Sequence, residues 1–412
     1  MQYRFEEIYA DSPADRARYD ALAEQLCALG HRREDVRFFT APGRTELGGN
    51  HTDHQNGKVL AASVDVDTVA AAAENGSDEI RLFSAGFPPC ACSVRPEQNA
   101  GFPAQTTNAL LAGMIALFAP GRTLRGLDIC ASSTVLPGSG LSSSASVEVL
   151  LAEILNVFFS ARLSALELAK LGRRAENEFF GKPCGLLDQA ACAFGGVTYM
   201  DFRDPAQPRV EKLSLEPERY GYALFLISCG ADHADLTAEY AAIPGELRAV
   251  SACFGAKTLS EVGEADFYAA LPRLRSRCPD RALLRAMHIY EENRRVDGMR
   301  AALLAGDFDR YLDLVRASGS SSWRLLQNIS PAGSPSQPMA LTLAVIEKLL
   351  DGRGACRVHG GGFAGTVQAY VPLGQTASFP AELSALLPTA SAQRRAVRPV
   401  GTGEVLLPEK VR

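Results

Sequence analysis

The spacing of apolar residues predicts that helices and strands alternate along this chain. Residues 14–30 have apolar positions at helical spacing and end at Gly30, a residue suited to a helix C-terminus. The segment VRFFTAPGR is predicted to be a strand that leads into a polar loop, and KVLAASVDVDTVAAAAENG is predicted to form the strands that follow it. IRLFSAG is typical of a further strand. A helix is predicted in TTNALLAGMIALFAP and a strand in LRGLDICASSTV, where apolar residues alternate.

The same alternation continues to the end of the chain. A glycine- and serine-rich loop follows LRGLDICASSTV, and after it come a long apolar helix, a second helix in LSALELAKLGRRAENEFF and a strand in VTYMDF. The stretch DFRDPAQPRVEKL is polar and contains prolines, so we place a lobe boundary near residue 205, between residues 1–205 and 206–412. Beyond it the pattern predicts the strand YALFLISCG, helices around 240–258, 280–291, 295–305 and 309–318, an exposed loop at 330–338, and strands in ACRVHGGGFAGTVQAYVP and TGEVLLP. This order indicates an α+β protein.

Length and composition limit the class of protein. A chain of 412 residues is long enough for two domains or lobes, and 47% apolar with 22% charged residues is ordinary for a soluble globular protein. The net charge of −5 and the absence of a basic run argue against a nucleic-acid partner. No run of about 18 apolar residues and no basic-then-apolar N-terminus is present, so we expect a cytoplasmic protein without a membrane partner.

The ten cysteines favour reduced thiols. They lie at positions 27, 90, 92, 130, 184, 192, 229, 253, 278 and 356, in apolar or small-residue surroundings without a repeated spacing. Cys90 and Cys92 form a CxC pair that lacks a second half and nearby histidines, so zinc binding is not favoured.

The first candidate site is the loop GRTELGGNHTDHQNG at residues 43–57. Its four glycines free the backbone, and its side chains are almost all hydrogen-bonding groups, which suits a loop that wraps a small polyhydroxylated ligand. A polar surface turn is the alternative that turn chemistry alone would favour. The polar side chains of the loop are Arg44, Glu46, Asn50, His51, Asp53, His54 and Gln55.

The second candidate site is the loop PGSGLSSSAS, from Pro137 to Ser146, which joins a predicted strand to a predicted helix. A glycine-rich approach to a helix N-terminus forms a nest of N–H groups for an anion, and phosphate is the natural occupant. A single N-cap serine would be the structural alternative, but four serines after two glycines exceed that need. The loop lacks the lysine and spacing of a Walker A motif.

Two acidic residues complete the set of candidate groups. Asp188 lies among small and apolar residues in CGLLDQAAC, where it is either a functional carboxylate or an N-cap. Glu176 lies near the end of a predicted helix. Phosphoryl transfer needs a group that orients or deprotonates a hydroxyl, oxygen ligands for Mg²⁺, and a cation, which Asp188, Glu176 with Ser144, and Arg44 could supply. A second glycine cluster, HGGGFAG at 359–365, indicates a tight hairpin or close backbone contact.

Together these segments resemble those of the GHMP small-molecule kinases, and within them the galactokinases. The loop at 43–57, PGSGLSSSAS, CGLLDQ and GGGFAG occur in the order and spacing of that family and span residues 43–365. The resemblance implies two lobes, an N-terminal one like ribosomal protein S5 and a C-terminal ferredoxin-like α/β sandwich, with the active site in the cleft between them. It also implies ATP, Mg²⁺ and transfer of the γ-phosphoryl group to the anomeric hydroxyl of galactose.

The resemblance also implies roles for individual residues. Asp188 would act as base or orient the sugar hydroxyl, beside Arg44. Ser144 and Glu176 would bind the metal. Sugar contacts are expected from Glu46, Asn50, His51, Asp53, His54, Gly185 and Tyr240, and contacts to the ATP phosphates from Pro137, Gly138, Ser139, Gly140, Leu141, Ser142, Ser143, Ser144 and Ala145.

The departures from the family pattern GRxNxIGEHTDYN leave the sugar open. Asn50 stands where the pattern has a glutamate that faces the sugar near C6, so a carboxylate at C6 would meet less repulsion, and galacturonate is an alternative substrate. His54 and Gln55 give HTDHQ, which resembles the HIDHQ of plant galacturonate kinases. A catalytically silent sugar sensor is a further alternative, which the intact Arg44 and Asp188 disfavour. We expect a monomer or a weak dimer.

Overall fold

A computed structural model describes residues 1–10, 12–136, 140–230, 237–363 and 365–408. Three residues of the predicted phosphate loop, Pro137, Gly138 and Ser139, lie outside these ranges, as does Ala364 of the second glycine cluster. The strands are β1 Gln2–Arg4, β2 Arg37–Gly48, β3 Lys58–Glu74, β4 Glu79–Ser84, β5 Cys90–Ser93, β6 Leu127–Ser133, β7 Val197–Asp201, β8 Arg209–Leu213, β9 Tyr222–Ser228, β10 Ala355–His359, β11 Thr366–Pro372, β12 Ser391–Arg395 and β13 Gly403–Leu406. The helices are α1 Phe5–Tyr9, α2 Pro13–Ala28, α3 Thr107–Phe118, α4 Ser143–Phe158, α5 Ala165–Ala175, α6 Leu187–Phe194, α7 Thr237–Ala252, α8 Glu264–Leu274, α9 Asp280–Ala305, α10 Phe308–Ser321, α11 Pro338–Leu350 and α12 Phe379–Leu386.

The first sheet is built around the long strand β3. Its order is β1-β13-β2-β3-β6-β4-β5, and β7 also pairs with β3 and carries β8. The end of β3 at residues 68–74 pairs with β6, whereas its start at residues 58–62 pairs with β7. Small buried residues such as Ala70 and Ala71 occupy both faces of β3 because helices α3 to α6 cover one face and α2 covers the other.

The second sheet has the order β10-β11-β9-β12 and is antiparallel throughout. Helices α11 and α12 pack on one face through residues such as Ile346 and Phe379. The other face contributes Leu224 and Tyr370 to a cluster that also contains Leu60 of the first sheet. The two sheets therefore share one packed junction, and the functional residues lie along it.

Strand pairing crosses the lobe boundary that we placed at residue 205. The polar, proline-containing stretch after β7 is the turn of a hairpin, since β7 and β8 pair from residue 197 to 213. Near the end of the chain, β13 returns to pair with β2 of the first sheet. A cut at residue 205 thus separates paired strands, because the composition of a hairpin turn resembles that of a linker.

Most predicted elements are present, with differences in the second half. The helices predicted at 280–291 and 295–305 form one helix, α9, and the prediction did not include α8, α11 or α12. The predicted stop at Gly30 agrees with its φ of +98°. Within the described residues, no helix combines the length and apolar character needed to cross a membrane.

Candidate active site

Arg44 and Asp188 form an ion pair at the centre of the site. Arg44 Nε and Nη2 donate to the two carboxylate oxygens of Asp188 at 2.7 and 2.8 Å. Arg44 Nη1 donates to the carbonyl of Gly140 at 2.5 Å, and its backbone N–H donates to the carbonyl of Leu141 at 3.0 Å. Strand β2, helix α6 and the end of the phosphate loop are thereby fixed to one another.

Asp188 does not cap a helix, so the N-cap alternative was wrong. Helix α6 has Leu186 at its N-cap position, and Asp188 lies in the first turn with its carboxylate directed to Arg44. The hydroxyl of Ser142 also donates to this carboxylate. Burial alone would raise the pKa of Asp188, but the Arg44 guanidinium and these hydrogen bonds hold the pKa below its usual value. At neutral pH Asp188 is therefore a carboxylate that accepts hydrogen bonds.

The described end of the phosphate loop leaves the start of helix α4 open. Ser142 has a φ of +60°, and its side chain makes no capping bond to the helix because it is directed to Asp188. A single serine cap therefore does not explain this serine-rich turn. Among the described residues, the first N–H groups of α4 have no capping side chain, so they can bind an anion, and the helix dipole favours negative charge there.

Ser144 and Glu176 converge from two helices, as the metal assignment requires. Glu176 begins a π-helical turn, Glu176–Phe180, that extends α5, and Ser144 Oγ donates to Glu176 Oε1 at 3.1 Å. Mg²⁺ is commonly held in phosphoryl-transfer sites by one or two protein oxygens, with water and phosphate as the other ligands. A hydroxyl and a nearly buried carboxylate at this distance fit such an ion.

A buried amide fixes the orientation of Glu176. Gln189 Nε2 donates to Glu176 Oε2 at 3.0 Å and to Glu148 Oε2 at 2.9 Å. Burial, and then the neighbouring Glu176, raise the pKa of Glu148 well above its usual value. The protonated form of Glu148 is thus favoured, which removes repulsion between the two side chains and leaves Glu176 Oε1 directed toward Ser144.

Asp53 and Gly185 are in direct contact. Asp53 begins a 3₁₀ turn, Asp53–Gln55, and one carboxylate oxygen accepts the backbone N–H of His54 at 2.9 Å. A Cβ on Gly185 would lie 1.7 Å from the other carboxylate oxygen. Only glycine fits at 185 while Asp53 keeps this position, and Gly185 is three residues before Asp188. The loop at residues 43–57, from which most sugar contacts are predicted and which we call the sugar loop, therefore lies beside the predicted catalytic acid Asp188.

His51 is buried and held as a neutral ring. Its backbone has a φ of +62°, and its Nε2 lies 3.0 Å from the carbonyl of Gly361. Burial, and then the nearby His54, lower the pKa of His51 to about 3. Because a carbonyl can only accept, Nε2 carries the proton and Nδ1 is an acceptor, which has no partner among the described residues. The His54 ring lies 5.9 Å from that of His51 and is partly exposed.

Tyr240 packs on the second glycine cluster. Its hydroxyl donates to the carbonyl of Gly362 at 3.1 Å, and a Cβ on Gly361 would lie 1.8 Å from its ring. The carbonyls of Gly360 and Gly361 accept from Asn50 and His51 of the sugar loop. The glycine cluster is thus the surface on which the second half of the chain meets the predicted sugar residues.

Glu46 and Asn50, from which sugar contacts are predicted, bond to other side chains of the protein. Both are buried: Asn50 Nδ2 donates to Glu46 Oε1 at 3.0 Å, and Asn50 Oδ1 accepts from Asn328 at 2.7 Å. Glu46 Oε1 also accepts from the buried Arg357 at 2.6 Å. Burial raises the pKa of Glu46 and Arg357 opposes that rise. Asn50 is therefore buried and bonded to the Glu46 carboxylate. Although Asn50 replaces the glutamate of the family pattern, this region still contains a carboxylate, that of Glu46.

Helix α9 supports the sugar loop through residues that the sequence analysis did not identify. His288 Nε2 lies 3.0 Å from the carbonyl of Asn50, and Glu292 accepts the N–H of Gly49 at 3.0 Å. Asn293 accepts the N–H of Lys58 at 2.7 Å. His288 and Glu292 could have been identified, because they are ionisable residues four positions apart on a helix face that is otherwise apolar. Arg357, Asn328, Gln189, Glu148 and Lys182 were also missed.

An apolar cavity lies beside the Glu176 turn. Its volume is about 290 Å³, and it is lined on one side by α3 and on the other by the loop before it. Two partly exposed aromatic rings, Phe102 and Phe179, border it. Gly113 allows Phe179 to lie against α3, since a Cβ there would be 2.6 Å from the Phe179 side chain.

Family models match both halves of this site. One described as "GHMP kinases N terminal domain" matches residues 109–196, and one described as "Galactokinase galactose-binding signature" matches residues 28–74. A galactokinase of Streptomyces coelicolor is 33% identical over 337 residues, which cover 81% of this chain and 84% of that protein. This chain belongs to the galactokinase family of GHMP kinases. It is accordingly a sugar phosphotransferase of that family.

Further comparisons agree with the family. A galactokinase of Mannheimia succiniciproducens is 27% identical over 358 residues, covering 85% of this chain and 89% of that protein. The crystal structure of Lactococcus lactis galactokinase complexed with galactose has a TM-score of 0.81 at 24% identity, covering 93% of this chain and 99% of that one. A mevalonate kinase structure has a TM-score of 0.58 at 17% identity. The predicted GHMP kinase fold is thereby confirmed.

Proposed function

We propose that this protein transfers the γ-phosphoryl group of ATP to the anomeric hydroxyl of galactose, giving galactose 1-phosphate and ADP. The observation that carries the proposal is the Arg44–Asp188 pair, held against the end of the phosphate loop at Gly140 and adjoining the Asp53–Gly185 contact. The similarity to galactokinases of two bacteria supports galactose as the acceptor.

Asp188 orients the acceptor hydroxyl in this proposal. A carboxylate whose pKa is lowered is a weak base at neutral pH but a strong hydrogen-bond acceptor, so it aligns the hydroxyl and receives its proton as the bond to phosphorus forms. Arg44 fixes the carboxylate and offsets its charge near the incoming phosphate. Asp53 accepts hydrogen bonds from other sugar hydroxyls.

The ATP half of the proposal uses helix α4 and the apolar cavity. The N-terminus of α4 binds phosphate oxygens, and Ser144 with Glu176 would hold Mg²⁺, which neutralises phosphate charge when bound. The adenine ring would enter the cavity between Phe102 and Phe179, where aromatic side chains can stack on it. We further propose a cytoplasmic protein that is a monomer or a weak dimer.

Galacturonate is the second candidate acceptor, and the buried pair of Glu46 and Asn50 weakens the argument for it. The argument for it was the loss of a glutamate at position 50, but Glu46 places a carboxylate 3.0 Å from Asn50. Arg357 is the cation that would favour a uronate, yet it is committed to Glu46. Galactose therefore remains the better-supported acceptor.

One assay tests the proposal. Purified protein with Mg·ATP is offered galactose, galacturonate, other hexoses and N-acetylhexosamines, and ADP release is followed, with NMR to identify the phosphorylated carbon. We expect turnover of galactose at C1. Turnover of galacturonate but not galactose would show that galacturonate is the acceptor. Binding of ATP and galactose without turnover would favour the sugar sensor.

Asp188→Asn should lower kcat by roughly 10²-fold or more, because the group that aligns the acceptor hydroxyl is lost. Full activity in that variant would overturn the role proposed for Asp188.

A further inference from the structure

The Arg44 guanidinium is largely occupied by the protein itself. Three of its five N–H groups donate to the Asp188 carboxylate and the Gly140 carbonyl. Charge that develops on a transferring phosphoryl group requires cations that are free to approach it. Another basic group near the same carboxylates would therefore have a distinct use.

Lys182 is such a group. It follows the π-helical turn that begins at Glu176, and its Nζ donates to Glu176 Oε1 at 3.0 Å. Ser144 donates to that same oxygen, so the ammonium lies at the position where the metal ligands converge. The Lys182 side chain is 58% exposed, whereas that of Glu176 is 3% exposed. One end of this ion pair is buried and the other is exposed.

The ammonium also acts on the reacting side of the cleft. Burial and then Arg44 have the largest effects on the pKa of Asp188, and the Lys182 ammonium also lowers that pKa. Burial raises the pKa of Tyr240, and Lys182 is the charge that lowers it. Lys182 is thus a cation bonded to the metal ligand Glu176 and near the catalytic carboxylate.

An ammonium and a divalent cation cannot share Glu176 Oε1 without repulsion. At the few ångströms that separate two cations bound to one carboxylate oxygen, this repulsion is strong. When Glu176 binds a metal ion, Lys182 must move to another anion. Its four-carbon chain and exposed position permit that movement.

We propose that Lys182 is a phosphate-binding residue of this kinase: its ammonium rests on Glu176 in the empty site and moves onto the phosphates of bound ATP. This inference rests on the proposed function for its setting. It assigns the second cation of the phosphoryl-transfer step to a residue outside the phosphate loop.

The test is a titration that needs neither metal nor turnover. ATP is titrated in EDTA by calorimetry into the wild type, Lys182→Met, Lys182→Gln, Lys182→Arg and the control Lys212→Met, which removes an exposed lysine from β8. Without its ammonium, the protein should bind metal-free ATP about tenfold more weakly. Lys182→Arg should stay within about threefold of the wild type and Lys212→Met should be unchanged. A thermal midpoint for each variant confirms folding, and Lys182→Gln substitutes if Lys182→Met fails to fold.

Kinetics supply the second readout. With Mg·ATP and galactose, Lys182→Met should lower kcat about tenfold or more while the KM for galactose is unchanged. Equal affinity of the wild type and Lys182→Met for metal-free ATP would overturn the proposal, as would an equal loss in Lys212→Met. If the wild type phosphorylates no sugar, the proposed function fails, yet the ATP titration still decides the role of Lys182.

Discussion

At the scale of single residues, Gly185 controls the position of Asp53. We predict that Gly185→Ala weakens sugar binding, because its Cβ would lie 1.7 Å from an Asp53 carboxylate oxygen and displace that side chain. The KM for galactose should rise at least tenfold, since a misplaced charged acceptor loses about 1.5–3 kcal/mol of hydrogen bonding. Calorimetry with galactose and, separately, with ATP measures the two affinities.

Gly245→Ala is the matched control for that substitution. Gly245 lies inside α7, and a Cβ there would meet no atom within 4 Å. Alanine should therefore leave sugar affinity unchanged and stabilise the helix by up to about 1 kcal/mol. Unaltered galactose affinity in Gly185→Ala would contradict the close packing of Asp53.

Glu46 and Asn50 should behave as one unit. Glu46→Asn leaves the buried Arg357 without its carboxylate, and Asn50→Glu places two carboxylates side by side. We expect each single variant to lose about 3–5 kcal/mol of unfolding free energy, the usual effect of leaving a buried charge unpaired. In the double variant Arg357 again faces one carboxylate, since its Nε and Nη1 lack partners among the described residues, so most of the loss should be recovered.

Urea unfolding of the four proteins gives the interaction energy directly. Additive losses in the double variant would show that the two positions do not exchange roles. The same proteins, assayed with galactose and galacturonate, report whether moving the carboxylate changes the acceptor.

At the scale of elements, helix α9 acts as the support of the sugar loop. Glu292 is fully buried, and it accepts from Gly49, Ser318 and Arg295. Burial would raise the pKa of Glu292, but Arg295 and His288 lower the pKa to about 2. We predict that Glu292→Gln destabilises the fold by about 3 kcal/mol at pH 7, the size that this pKa shift implies. Glu291→Gln, one residue earlier and partly exposed, should change stability by less than about 1 kcal/mol.

Thermal and urea unfolding measure both variants, and galactose affinity serves as a second readout. Glu292→Gln should also weaken galactose binding, because the N–H of Gly49 loses a charged acceptor. Equal stability of the two variants would contradict the anchoring role of α9.

The case of α9 shows which parts of the structure could be predicted from the sequence. The pattern of apolar residues located α2 because its polar residues face solvent, and it located α3 and β9 because they are nearly continuous apolar segments that are buried. It divided α9 in two because Glu292 and Asn293 resemble a polar break, although Glu292 bonds to Gly49 of the sugar loop and Asn293 to Lys58 directly after it. The glycine-framed loop and the phosphate loop were recognisable because their composition has no packing explanation.

Contacts made by residues distant in the chain could not be predicted. Arg357 lies 311 positions from Glu46, and only the fold brings them together. The same holds for the hairpin at β7 and β8, whose turn has the composition of a linker. For this reason the burial of Asn50 against the Glu46 carboxylate could not be predicted from the sequence.

At the scale of the whole molecule, Asp67 joins the beginning and the end of the chain. This buried residue of β3 accepts from Arg18 of α2 at 2.8 Å and from Arg398, which precedes β13, at 2.7 Å. The hydroxyls of Tyr9 and Thr40 also donate to it. Four separate segments therefore depend on one carboxylate being ionised.

We predict that Asp67→Asn lowers the unfolding free energy by about 3–5 kcal/mol at pH 7, because it leaves Arg18 and Arg398 without their shared counterion. Burial would raise the pKa of Asp67, but Arg398 and Arg18 hold it below the ordinary value of 3.8. A lowered folded-state pKa means that this stabilisation is complete above the unfolded pKa and is lost as the pH falls through the folded one. The difference in unfolding free energy between wild type and Asp67→Asn should therefore be constant from pH 7 to about 5 and shrink below pH 4.

Asp65→Asn is the control. Asp65 is on the same strand but half exposed, burial raises its pKa, and its nearest arginine is 3.9 Å away. Urea unfolding across this pH range tests the prediction; a difference that persisted unchanged at pH 2 would show that Asp67 is not the ionised centre of this junction.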